Sequence, residues 1–303
     1  MTEHGGDLLL PFLIEAGAVR GRLVRLGPSL DTILDGHGYP TPVAERLAET
    51  LALAAALAGG LKYRGVFTLQ IQGDGPIPLI VADVTSAGDL RGYARFTPDR
   101  LEDLADEPAP SLARLLGKGY LAFTVDQGPD TERYQGIVEL AGDTLADCAQ
   151  TYFRQSEQLD TAVRLAALYG GPARGWQAAA LVVQRMPLGP NSPIHTAEQA
   201  EENWRRATIL MSSVRDQELL DPTLDPARLL LRLFHAEGLD ILADRPLLAR
   251  CRCSRDTVMG ALHSLPRDEL ETLGEDGVIS VVCEFCKTEY RFATGTLAPL
   301  PAP

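Results

Sequence analysis

Positive charge is in short supply in this chain: 28 lysines and arginines stand against 41 aspartates and glutamates, a formal net charge of −13. Such a balance argues against a general binder of nucleic acid or anionic membrane, whose affinity comes from neutralising phosphates. Long apolar runs are missing too, and nothing approaches the roughly 18 residues of a membrane span. The apolar stretch 8–14 (LLLPFLI) is interrupted by Pro11 and preceded by no Lys or Arg, so it lacks the charged start of a signal peptide. The expectation is a cytoplasmic protein. Also absent are a nucleophile elbow, a P-loop, a dinucleotide fingerprint and an HExxH helix, which removes the commonest enzyme chemistries and points to a protein that is not an enzyme. The glycines of Gly73-Asp74-Gly75 and Gly117-Lys118-Gly119 read as hairpin turns rather than phosphate cradles.

Cysteine is scarce, and its placement is uneven. Four of the five cysteines form two close pairs, Cys251-Arg252-Cys253 and Cys283-Glu284-Phe285-Cys286, with twenty-nine residues between them. In a cytoplasmic chain, paired cysteines are metal ligands or redox groups more often than permanent disulfides. Four soft thiolates suit a closed tetrahedral zinc site. On an extended strand Cys251 and Cys253 leave the same face, and the C-x-x-C pair suits a tight turn. His263 lies between the pairs and can replace a ligand, although a position on a short exposed helix fits it better. From Cys251 to Cys286 seven acidic residues face three arginines, so this region is no basic platform. The fifth cysteine, Cys148, falls at helical spacing between Leu145 and Tyr152 and reads as core filler.

The rest of the chain divides by period. Residues 19–26 form a strand of mixed polarity. Thr41-Pro42 reads as a cap and first turn of a helix burying Val43, Leu47, Leu51 and Ala54 and stopping near Gly59-Gly60. From Val66 the period changes to two, with Phe67, Leu69 and Ile71 alternating with polar residues. Further strands are expected at 79–84, 90–96, 120–125, 134–140, 162–168 and 179–184, completing an antiparallel sheet, with a helix capped by Asp143 or Thr144. Residues 187–193 (PLGPNSP) mark a boundary. After it, Thr196 with Gln199 forms a capping box, and Glu201/Arg205 and Glu202/Arg206 are i,i+4 pairs worth about 0.2–0.5 kcal/mol each. Trp204, Ala207, Met211 and Val214 line this helix. A second, from Asp225-Pro226 to Gly238, buries Leu229, Leu230, Leu233 and Phe234. Two short helices cannot form a core, so they must lie on another surface, from which they detach at small cost.

The last segment is expected to be compact. Ser254 caps a helix bearing Val258, Leu262 and Leu265, a turn with Leu270 and Leu273 follows, and Asp276-Gly277 leads into strand 278–282, the cysteine knuckle and a return strand at 288–292. With roughly 45–50 residues and few apolar groups, such a domain sits near the size at which a metal staple becomes necessary, so zinc binding becomes folding free energy. The C-x-C half is its weak point, since its thiolates are less shielded by backbone N–H groups. Zinc-bound thiolate is the species oxidants attack, and loss of one ligand would release the metal and unfold the domain. The residues leave three readings open: an oxidant-triggered switch, an inert zinc-ribbon interaction module, and a thiol–disulfide oxidoreductase. The last is disfavoured because C-x-x-C stands between strands rather than opening a helix.

Over nearly its whole length the chain resembles the bacterial heat shock protein 33 family of redox-regulated holdase chaperones. The matching stretches are 69–76 (LQIQGDGP), 90–95 (LRGYAR), 133–140 (RYQGIVEL), 151–159 (TYFRQSEQL), the Cys251-Arg252-Cys253-Ser254 segment and the Cys283–Cys286 knuckle. The resemblance implies an α+β protein: a substrate-binding chaperone domain at 1–190, mostly antiparallel sheet with packed helices, a helical linker at 191–246, a zinc-binding redox-switch domain at 247–297 and a disordered tail at 298–303. It implies one Zn2+ on Cys251, Cys253, Cys283 and Cys286 in an inactive, reduced monomer. Oxidation would release the metal, join Cys251 to Cys253 and Cys283 to Cys286, and unfold the linker. The resulting dimer would hold unfolding client proteins without ATP, with Leu229, Leu230, Leu233 and Phe234 as candidate client surface. Two departures from the family pattern stand out: Lys287 where glycine is common, and alanines in 176–184 where glycines are expected.

Overall fold

The computed structural model describes residues 6–14, 18–107, 109–128, 131–187, 196–274 and 277–293. The tail 298–303, most of the boundary segment 187–193 and Asp276 of the expected turn lie outside them. Two compact units divide the chain, residues 1–249 and 250–303.

The first unit opens on strands β1 (Leu8–Ile14) and β2 (Val19–Leu26), paired antiparallel. Helix α1 (Pro28–Leu34) follows, then α2 (Thr41–Ala58). Thr41 lies inside the first turn of α2, where no side chain caps the helix, and Pro42 fits because that turn has N–H groups to spare. α2 is buried over most of its circumference, not on one face. Its alanines Ala48, Ala52, Ala55 and Ala56 let neighbouring elements approach on sides that a larger residue would hold apart.

Strands β3 (Val66–Gly73), β4 (Leu79–Thr85) and β5 (Asp89–Arg95) form an antiparallel meander. The short helices α3 (Pro98–Glu102) and α4 (Leu112–Leu116) lead to β6 (Gly119–Asp126), which returns beside β3, and β7 (Tyr134–Glu139) pairs on its far side. Phe67, Leu69 and Ile71 of β3 enter the core shared with α2. Thr144 opens α5 (Leu145–Tyr152) with a full capping box closed by Asp147, and a single π-helical turn, Phe153–Glu157, extends it. Cys148 is fully buried on α5, and burial pushes its thiol up to about 11.

β8 (Thr161–Tyr169) and β9 (Trp176–Arg185) do not complete the β3–β7 sheet. They join β1 and β2 in a second one, because β9 pairs with β2 along its length. Both faces of this second sheet are covered: Ala178, Ala180 and Val182 of β9 enter the core with α2, while Ala179, Leu181 and Val183 enter another. That explains the unbroken apolar run in β9.

The other core is capped by the helices α6 (Ala197–Ser212), α7 (Asp216–Leu219) and α8 (Pro226–Phe234), which fall within the segment expected as a linker and belong to the first unit. Thr196 Oγ1 accepts the Gln199 N–H at 3.1 Å. The acidic and basic residues of α6 pair with other elements as well as along the helix. Glu201 meets Arg185 of β9 at 2.7 Å, and Arg206 meets Glu237 at 2.7 Å, while Glu202 lies 3.8 Å from Arg205. Three two-residue strands, β10 (Asp240–Ile241), β11 (Arg245–Pro246) and β12 (Leu248–Ala249), bring the chain back along both sheets. β10 and β11 pair with β1, and β12 runs parallel to β5.

The second unit holds α9 (Arg255–His263), α10 (Arg267–Leu273) and the hairpin β13 (Val278–Val282) and β14 (Glu289–Ala293). Its described core contains three buried apolar side chains, Leu262, Ile279 and Phe292. Among the described residues no helix is long and apolar enough to cross a membrane.

Candidate metal centre

The β13–β14 hairpin sets the first half of the site. Val282 pairs with Glu289, so the chain between them must turn within six residues. The turn closes on itself: Lys287 N–H donates to Cys283 O at 2.9 Å, and Cys283 N–H donates to Thr288 O at 3.0 Å. Lys287 carries a φ of 57°, in the left-handed region that favours glycine. Position 287, where the resemblance leads one to expect glycine, is therefore one whose backbone favours glycine.

The second half precedes α9. Ser254, next after Cys253, accepts the Thr257 N–H at 3.1 Å and so fixes where the helix begins. Across the two halves, Cys251 Sγ lies 3.8 Å from Cys283 Sγ, and Cys253 Sγ lies 3.3 Å from Cys286 Sγ. All four sulfurs fall within 4.8 Å of one another. Four thiolates held about 2.3 Å from a zinc ion would stand about 3.8 Å apart. The donor set and its spacing fit a tetrahedral metal, and these four cysteines can hold one. His263 is not part of the cluster; it sits in the last turn of α9, half-buried.

The cysteines are not equivalent. Burial pushes the Cys253 thiol up to about 12, only partly offset by the Tyr290 hydroxyl, which donates to its sulfur at 3.2 Å. Burial also raises Cys283, against the pull of the Cys286 and Phe285 N–H groups in the knuckle. At Cys286 burial acts upward as well, but Thr288, through both its hydroxyl and its N–H, and the neighbouring thiols bring it down to about 6. Cys286, the thiol drawn down, is also the exposed one of the four. Tyr290 and Thr288 were not legible as site residues. Their only signal is position: Thr288 stands two residues after Cys286, just before the returning strand, and Tyr290 four residues after it, on β14.

The remaining predicted residues lie in the other unit. Leu229, Leu230 and Phe234 are buried on α8 and Leu233 is half-buried, all packed against the sheet of β1, β2, β8 and β9. The Phe234 and Phe12 rings stack with centroids 5.6 Å apart. A residue with no sequence signal fastens this element. From β2, the Arg25 guanidinium donates to the carbonyls of Glu218 and Asp221, each at 2.9 Å, and to that of Leu224. It clamps the turn between α7 and α8.

Comparison with known proteins places the whole chain. A family model described as Hsp33 protein matches residues 7–293. The 33 kDa chaperonin of Caulobacter vibrioides is 39% identical over 289 residues, covering 94% of each chain. That of Salmonella typhimurium is 38% identical over 304 residues, covering 99% of this chain and 96% of its own. Among solved structures, the 33 kDa chaperonin (heat shock protein 33 homolog) of Thermotoga maritima superposes with a TM-score of 0.80 at 25% identity, covering 96% of each chain.

Proposed function

The chain belongs to the Hsp33 protein family, a chaperone family, and from that premise we propose that it is an ATP-independent holdase switched on by oxidation of its zinc-bound cysteines. The observation that carries the reading is the four-cysteine cluster inside a unit whose described core has only three buried apolar side chains. A core that small cannot offset the entropy of ordering its chain, so the metal contributes the folding free energy. Zinc would be held by Cys251, Cys253, Cys283 and Cys286, keeping all four as thiolates.

Oxidation removes the ligands. Each pair of thiolates gives up two electrons to form one disulfide, and a peroxide takes those electrons and two protons to become two waters. The pairing proposed is Cys251–Cys253 and Cys283–Cys286. Loss of the metal unfolds the unit, and the linker helices then leave the sheet, exposing Leu229, Leu230, Leu233 and Phe234 to unfolding clients. The reduced protein is a monomer and the oxidised one a dimer, working in the cytoplasm and requiring neither nucleic acid nor membrane.

Titrating reduced, zinc-loaded protein with peroxide under mild heat, while following zinc release, disulfide mapping and suppression of client aggregation, tests the reading. The expected result is joint release and activation with disulfides inside each close pair. Equal protection by the reduced and oxidised proteins would sink it. Zinc release without any gain of protection would favour a constitutive interaction module.

A further inference from the structure

The 151–159 stretch, TYFRQSEQL, has no part in the metal centre, yet the fold gives it an unusual setting. Its residues Phe153–Glu157 form the π-helical turn after α5, a geometry that recurs at functional sites. Gln158 ends that turn in the left-handed region, with a φ of 53°. Tyr152, Phe153 and Glu157 from this stretch line a cavity of about 270 Å³, whose wall also includes Phe67 and Phe123. The Phe123 and Tyr152 rings lie 4.2 Å apart.

The lining is also charged. Arg20 and Arg22 of β2 both line the cavity. Arg22 is only 4% exposed, and its buried Nε has no hydrogen-bond partner. Its terminal nitrogen donates to Gln184 Oε1 at 2.5 Å, an oxygen that Arg20 Nε also reaches at 3.2 Å. Gln184 is itself fixed by donating to Thr161 Oγ1 at 3.1 Å. The two guanidiniums therefore share one neutral acceptor. Burial, and then the neighbouring Arg20 charge, pull Arg22 down to about 9, with no carboxylate opposing them. A buried cation in that state is costly unless a counter-charge arrives. The C-terminal end of α2 supplies only a partial one.

Room has been made for this arginine. A Cβ on Gly60 would sit 1.4 Å from Arg22 Nη1, so the guanidinium occupies space that only glycine leaves. Among the described lining residues the one carboxylate, Glu157, is already engaged: the Tyr134 hydroxyl donates to it, and so does that of Tyr152, at 2.7 Å. Glu157 thus orders the aromatic wall and leaves the arginine pair uncompensated.

We infer that this cavity binds a small organic anion, a carboxylate carrying a single aromatic or branched apolar body. The carboxylate would sit on Arg20 and Arg22, whose fork geometry suits it, and the body against Phe67, Phe123, Tyr152 and Phe153. The volume lies at or below the lower end of the roughly 300–1,000 Å³ of drug-sized sites, which limits the ligand to about one ring. The site is independent of the cysteine switch and goes beyond the chaperone reading.

The test uses the full-length, reduced, zinc-loaded protein and three probes: phenylacetate, its neutral isostere phenylacetamide, and inorganic phosphate. Binding is followed by titration calorimetry and by the Arg22 Nε–H resonance. Phenylacetate is expected to bind with a Kd of about 1 mM or tighter, to shift that resonance, and to bind at least ~10-fold tighter than either of the other probes. Arg22→Gln and Arg20→Gln should each weaken it by at least ~10-fold. Should Arg22→Gln fail to fold, the half-buried Arg20→Gln and the acid-to-amide ratio on the wild type decide. Equal binding of acid and amide, phosphate binding as tight as phenylacetate, no binding at about 10 mM, or unchanged affinity in the variants would each overturn the inference.

Discussion

If the linker helices are the element released on activation, the group that fastens them sets how readily they leave. Arg25 is that group, donating from β2 to three backbone carbonyls of the α7–α8 turn. Its replacement by methionine keeps most of the apolar stem and removes all three bonds. A hydrogen bond from a charged donor contributes about 1.5–3 kcal/mol net. Glu218, Asp221 and Leu224 are half-buried, so water can replace part of the loss. Arg25→Met should therefore weaken linker docking by about 2–3 kcal/mol, which multiplies the undocked population roughly 30- to 150-fold. Amide hydrogen exchange over Leu229–Phe234, in reduced and zinc-loaded protein, reads that population directly. The variant should also protect a heat-unfolding client without oxidant, with its four cysteines still holding zinc. Unchanged exchange across α8 in a folded variant would refute the clamp. Faster exchange with no gain in client protection would refute the role given to the linker.

Four further substitutions have outcomes that follow from individual residues. Lys287→Gly relieves a left-handed residue in the knuckle, so zinc affinity, measured by chelator competition, should rise roughly fivefold for the ~1 kcal/mol recovered; weaker binding would contradict the strain. Cys283→Ser should abolish zinc binding and unfold residues 250–293, whereas Cys148→Ala should leave zinc content and oxidant response unchanged, because Cys148 is fully buried with its thiol raised to about 11; mass spectrometry should find Cys148 unalkylated in folded protein. Glu49 of α2 is raised by burial, and further by Glu45 and Asp216, to about 7, against the opposing pull of Arg46. The folded state thus favours its protonated form, so this group costs nothing below about pH 4.5, and its cost grows as pH rises to 7 and stays above it. Glu49→Gln should raise stability at pH 8 by about 1–3 kcal/mol and leave it unchanged at pH 4.5; a pH-independent effect would be the contrary result.

The parts of this structure that were legible in the sequence are those where one local pattern decides. β3 alternates because one face enters the core, and the four cysteines announce themselves by spacing. β1 was opaque for the opposite reasons. Pro11 interrupts its run, and the fold tolerates it between Leu8–Leu9, which pair with β11, and Phe12–Leu13, which pair with β10. The split into two sheets depends on β9 choosing β2, about 160 residues away in sequence, a choice no window can see. Glu201 and Arg206 of α6 have tertiary partners, Arg185 and Glu237, which only the docked helix brings near and no local spacing announces. Arg25, Arg22 and Tyr290 act through contacts between distant segments, and nothing in their immediate neighbours marks them.

The central claim, that metal loss in one unit frees helices packed in the other, meets its most direct test in hydrogen exchange. The amides of Leu229–Phe234 should be followed through a peroxide titration, with zinc release and client protection measured on the same samples. The account predicts that these amides stay protected while zinc is bound and lose protection together with zinc, as client protection appears. Protection of clients arising while α8 remains as slow to exchange as in the reduced protein would contradict it.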